Sequence, residues 1–88
     1  MIERTIEIVN SLGLHARPAA QFVRLAAGFA SEIELARDDM AVNGKSIMGV
    51  MMLAAECGSQ VVVRANGADE EAALAALEAL IRNGFGET

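Results

Sequence analysis

The 88 residues predict an α+β fold. It is an open-faced, two-layer β-sandwich, with a four-stranded, mainly antiparallel sheet and three helices on one face, in the order βαββαβα. Three observations lead there. Four short segments alternate apolar and polar residues with period two. Three other segments repeat apolar residues at helical spacing, each with a single stripe. The alternation leaves one sheet face polar, so the helices must cover the other.

The elements follow in order. Residues 2–9 (IERTIEIV) put Ile2, Ile6 and Ile8 on one side and Glu3, Thr5 and Glu7 on the other, a half-buried strand. Arg4 interrupts the apolar side, which places it at the sheet rim. Residues 16–27 (ARPAAQFVRLAA) carry Ala19, Phe22, Val23 and Ala26 at helical spacing, and Gly28 supplies a stop. Pro18 falls in the first turn, where its missing N–H breaks no intrahelical bond. Residues 32–37 (EIELAR) and 40–43 (MAVN) are short strands joined by a hairpin turn at Asp38-Asp39. Residues 47–53 form a short apolar helix, which Gly58 helps to end. Residues 60–66 (QVVVRAN) are a strand with Val61, Val63 and Ala65 on one face. Residues 70–83 are the clearest helix, with Asp69 as its cap, Glu70 and Glu71 at the positive dipole end and a stripe of Leu74, Leu77 and Ile81. Gly84 ends it. Strand order does not follow from periodicity.

One domain, residues 1–88, is all this length allows, burying about 60–65% of its unfolded surface. With three Phe and no Tyr or Trp, the core must be built from Ala, Val, Leu, Ile and Met. A net charge of −5 argues against nucleic acid and anionic membrane as principal partners. The single Cys57 excludes a disulfide framework and a Cys-rich metal site. No metal and no cofactor are expected. Cys57 reads as a passive small residue near a turn, with nothing beside it to activate a thiolate. The first residues lack the pattern of a signal peptide, and the apolar run 47–55 is too short to span a bilayer. A cytoplasmic monomer is the expectation.

The chemistry concentrates in "SLGLHARPAA", residues 11–20, which holds the only histidine and the only proline. His15 immediately precedes a helix start, where backbone N–H groups lack partners and carry partial positive charge. Such an end holds phosphate and favours the neutral, nucleophilic imidazole. Arg17 lies in the same first turn and can pair with phosphate oxygens. Gly13 lets the backbone turn sharply and leaves the ring uncrowded. A nucleophile, a dipole and a fixed cation within five residues describe a transient phosphohistidine. A surface histidine at a helix cap, beside an ordinary arginine, is the plain alternative.

A second stretch is "VNGKSIMGVMMLAA", residues 42–55. Gly44-Lys45-Ser46 resembles the end of a P-loop, but that motif needs glycine at position 39, which is Asp, so nucleotide binding is rejected. Ser46 caps the helix beginning at Ile47. A phosphate there would sit favourably on the helix dipole and change surface charge with little change of fold. The run from Ile47 to Leu53 holds more apolar residues than one short helix can bury. Met52 and Leu53 are expected inside; Ile47, Met48 and Met51 are expected partly outside, as an adaptable docking patch.

With these residues in view, the chain resembles the HPr family, the histidine-containing phosphocarriers of the bacterial sugar phosphotransferase system. "GLHARPAA" is similar to the family's phosphorylation-site motif and "VNGKSIMGVMMLAA" to its serine-site motif. Their separation, the Phe22-Val23 and Phe29 positions and the "GADEEAALAAL" terminal helix also match, so the likeness covers essentially the whole chain. The resemblance implies that enzyme I phosphorylates His15 on Nδ1, with phosphoenolpyruvate as the source. His15 then passes the group to A-type domains of sugar permeases. It implies that Arg17 steadies the phosphoryl group, and that Ser46 is the regulatory site of an HPr kinase/phosphorylase. Ala20, Arg24, Ile47, Met48 and Met51 would form the partner-binding surface. The protein would be a carrier rather than an enzyme, its partners supplying most of the catalysis. Two other readings stay open at this point. One is a regulatory, nitrogen-type paralogue of the same family; the other is an interaction module that uses the Met-rich patch without phosphorylation.

Overall fold

The computed structural model describes residues 1–87. Its elements are β1 (Ile2–Glu7), α1 (Ala16–Ala27), β2 (Glu32–Arg37), β3 (Met40–Asn43), α2 (Ile47–Met52), β4 (Gln60–Asn66) and α3 (Glu70–Arg82). A short 3-10 turn at Gly84–Gly86 follows. The architecture is the open-faced sandwich that the alternation demands, with the helices and one sheet face sharing a single core. Ile6, Leu35, Val61, Val63 and Ala65 face that core from the sheet. Ala19, Phe22 and Ala26 face it from α1, Val50 from α2, and Leu74, Leu77 and Ile81 from α3.

The sheet order is β1-β4-β2-β3, and every pair is antiparallel. β4 therefore runs through the middle between the first two strands. On the solvated face, Arg64 of β4 stands opposite Glu3 of β1 and Glu34 of β2 in register. Its guanidinium bonds both carboxylates, at 2.9 Å and 2.6 Å. Such exposed cross-strand pairs help fix register more than they add stability. Arg4 lies on the edge strand β1, at the rim as expected, and donates to Glu78 of α3 at 3.0 Å.

Two expectations at element ends, for Gly58 and Asp69, are corrected, and that for Gly28 holds. Gly58 does not end α2. Leu53 caps that helix and Ala54, at φ 52°, turns the chain away; Gly58 instead sits in the turn before β4, where its N–H donates to Ile8 O at 2.8 Å. Gly28 does stop α1, but with right-handed dihedrals (φ −76°, ψ −7°) rather than a left-handed cap.

Asp69 precedes α3 as expected, yet its side chain caps nothing in that helix. Its carboxylate accepts instead from the N–H of Ala30, at 2.8 Å, and from the N–H and hydroxyl of Ser31. It thus ties the start of α3 to the loop between α1 and β2. A cap needs the carboxylate to fold back on its own helix, and the neighbouring loop offers three donors at once. The Ser31 hydroxyl and the Ala30 N–H hold Asp69 below the usual carboxylate range. A group whose pKa is depressed by folding stabilises the fold above its unfolded pKa, and that contribution is lost as pH falls through the folded value. Asp69→Asn should therefore melt below the parent at pH 7 and pH 5, the two curves drawing together only as pH falls below the ordinary aspartate range. Equal melting temperatures at pH 7 would refute this role.

Candidate functional site

The start of α1 is built by the loop before it. Gly13 takes φ +68°, a left-handed conformation that glycine adopts at little cost. Its neighbours leave no room for a side chain: a Cβ would fall 2.4 Å from Ala55 O and 2.7 Å from Glu56 Cα. The space that glycine preserves is thus for the backbone of residues 55–56, not for the imidazole. Leu14, buried, donates its N–H to Ala55 O at 2.8 Å. The residue before the histidine is thereby pinned to the segment that follows α2.

His15 occupies the N-cap position with extended dihedrals (φ −76°, ψ −171°) and makes no side-chain cap bond. Its carbonyl accepts the first helical bond, from Ala19 N at 3.0 Å. The N–H groups of Ala16 and Arg17 precede that bond and have no intrahelical acceptor, while Pro18 has no N–H to satisfy. Two donors, the helix dipole and the exposed Arg17 side chain therefore converge beside a half-exposed imidazole. The arrangement can take an anion of phosphate's size and charge.

The structure also brings in a residue that the sequence reading passed over. His15 Nε2 lies 2.9 Å from Oε2 and 3.2 Å from Oε1 of Glu87, 72 positions away. Asn10 supports this carboxylate. Its Nδ2 donates to Glu87 Oε1 at 3.1 Å and to Gly13 O at 2.7 Å, and the side chain is fully buried. Burial works against the Glu87 charge, but hydrogen bonds from His15 and Asn10, with the charges of His15 and Arg17, outweigh it. Its carboxyl stays below the usual carboxylate range. The helix end is therefore not purely electropositive. The only local hint was "GFG" before Glu87, which marks a turn but not its target.

Ser46 caps α2 as expected, its Oγ accepting from Gly49 N at 3.1 Å. Lys45 turns away, with Nζ on Phe29 O at 2.8 Å, so it does not stand at a phosphate loop. α2 packs on α1. Ala20 is half-buried and Arg24 exposed on α1, and Ile47, Met48 and Met51 are exposed on α2, with Met48 at 74%. Met52 corrects the sequence reading: it is 63% exposed rather than inside. The buried stripe of this helix is Val50 and Leu53, three apart, and Met52 lies about 200° around from Val50 at helical spacing. Met52 thus extends the exposed apolar patch. Leu12, 73% exposed, adds an apolar residue in the loop that carries His15.

Cys57 lies in a turn, as expected, and is free and exposed. Among the described residues, no cluster of three His, Cys, Asp or Glu side chains could hold a metal ion, and no helix is long and apolar enough to cross a membrane.

The chain is similar to known proteins over nearly its whole length. Residues 2–83 match the family described as PTS HPr component, phosphorylation site. The chain is 51% identical over 87 residues to the phosphocarrier protein HPr of Treponema pallidum, covering 99% of each. It is 52% identical to a solved structure of HPr from Thermoanaerobacter tengcongensis, with a TM-score of 0.96, covering 100% of this chain and 99% of the other. An HPr dimer from the same organism matches at 53% identity and a TM-score of 0.79, covering 99% of this chain and 100% of the other.

Proposed function

Because the chain belongs to the HPr family of phosphotransferase-system phosphocarriers, we propose that it carries a phosphoryl group on His15. The whole chain acts as one carrier domain in the cytoplasm. It accepts phosphate from phospho-enzyme I and delivers it to A-type domains of sugar permeases. What supports this reading is the site at the start of α1: an accessible imidazole beside two free N–H groups and the Arg17 guanidinium. Arg17 balances phosphoryl charge, and the fixed donors receive phosphate oxygens without rearrangement. The protein supplies the nucleophile and the positioning, while each partner completes the catalytic machinery, so it serves as a carrier rather than an enzyme.

Ala20 and Arg24 of α1 and Ile47, Met48 and Met51 of α2, joined by Met52, form the docking surface beside the histidine. One flexible, methionine-rich patch can repack against several partners. The carrier acts as a monomer, which leaves that patch free. Incubation with phosphoenolpyruvate and enzyme I should add one acid-labile, base-stable phosphate per chain. Failure to add any would overturn the reading.

Ser46 is the regulatory site for an HPr kinase/phosphorylase. A phosphate there would rest on the start of α2 and place negative charge at the docking patch. Ser46→Asp keeps a good N-cap, since Asp accepts the same backbone bond. It should slow phosphorylation of His15 by roughly tenfold while shifting the melting temperature by only a few degrees. Unchanged kinetics with enzyme I would remove the regulatory link.

A further inference from the structure

We propose that Glu87 is a positioning residue for phosphoryl transfer, holding the Nε2–H tautomer of His15 so that Nδ1 presents its lone pair. The proposal rests on the carrier reading above and names a residue that neither motif contains.

Glu87 reaches the ring by a purpose-shaped turn. After α3 ends at Arg82, three consecutive residues, Gly84, Phe85 and Gly86, take φ of +63°, +57° and +73°. Phenylalanine rarely adopts such a conformation, and here its buried side chain holds it there. The chain doubles back, and the next residue lays its carboxylate on His15 Nε2, with Oε2 at 2.9 Å. Asn10, fully buried, fixes Oε1 from the loop that carries the histidine. Imidazole and acceptor are thus referenced to the same loop.

An ionised carboxylate can only accept, so the ring nitrogen facing it must carry the proton. A neutral imidazole has one ring proton, and placing it on Nε2 leaves Nδ1 unprotonated. Among the described residues, Nδ1 makes no hydrogen bond. In the forward step, the Nδ1 lone pair forms the new N–P bond. The bond from phosphorus to the leaving nitrogen of a phosphoramidate donor breaks, and its electron pair returns to the donor. The Nε2 proton stays on His15. As the ring gains positive charge, Nε2–H becomes a stronger donor and its bond to Glu87 tightens. The contact is therefore worth more at the transition state than before it. An aspartate orients the imidazole of serine hydrolases by the same logic.

The test pairs a spectroscopic readout with kinetics, using Glu87→Ala and Glu87→Gln in the full chain. Nitrogen-15 NMR of the unprotonated ring should show the Nε2–H tautomer almost alone in the parent. Glu87→Ala should give a mixture, and Glu87→Gln, whose amide oxygen still accepts, should restore the parent signature. The rate of phosphorylation by phospho-enzyme I should fall about fivefold in Glu87→Ala and recover to within about twofold in Glu87→Gln. An unchanged tautomer in Glu87→Ala, or a changed tautomer with the parent rate, would overturn the assignment. A parent protein that takes no phosphate would overturn the carrier reading instead, whatever the tautomer.

Discussion

His15→Ala should leave a folded protein that takes no phosphate from phosphoenolpyruvate and enzyme I. Removing a nucleophile costs on the order of 10⁴-fold or more in rate, so labelling should fall below detection. The fold should tolerate the change. His15 caps α1 through its backbone only, and its side chain bonds Glu87 at the surface while Phe22, Ala19 and Ala26 hold the helix to the core. A stability change within about 0.5–1 kcal/mol is expected. Phosphate uptake and a thermal melt on the same preparation separate lost chemistry from lost structure. A variant that is labelled at the parent rate would place the acceptor elsewhere and end the carrier reading for His15.

Gly13→Ala should damage stability and site together. The added Cβ meets backbone, Ala55 O at 2.4 Å and Glu56 Cα at 2.7 Å, and backbone has no rotamer by which to yield. The left-handed φ of +68° adds about 1–2 kcal/mol for an L-residue, and the overlap about 1–3 kcal/mol. A loss of about 2–5 kcal/mol is a large part of the ~5–15 kcal/mol of a typical domain. It corresponds to a fall of roughly 8–40 °C in melting temperature for a chain of this size. The Leu14 N–H bond to Ala55 O would be strained first, and His15 follows directly after Leu14, so phosphorylation should slow even where the protein stays folded. Gly58→Ala is the control. It shares a positive φ, 92°, but its Cβ would meet nothing within 4 Å, so only the conformational cost applies. Equal melting of the two variants would show that close approach to residues 55–56 does not matter.

Much of the fold was legible because its signals are local. The alternation in β1 and the stripes of α1 and α3 report which faces are buried, and burial follows them closely. The candidate site was legible for the same reason. His15, Arg17 and Pro18 lie within one turn, and a helix start imposes its geometry on whatever residues stand there. Ser46 was readable as a cap three residues before Gly49. Met52 was misjudged because hydrophobicity alone does not say which side of a six-residue helix a side chain takes.

By itself the sequence determined the elements, their inward faces, the phosphate-suited start of α1 and the cap of α2, all set by dihedral preferences and spacing over a few residues. Only the tertiary structure decided the order β1-β4-β2-β3, the tie from Asp69 to Ser31 and the meeting of Glu87 with His15. These join positions 38 to 72 residues apart, or strands whose backbone groups are chemically alike. No local preference distinguishes such partners, and the shared core that brings them together exists only once the chain has folded.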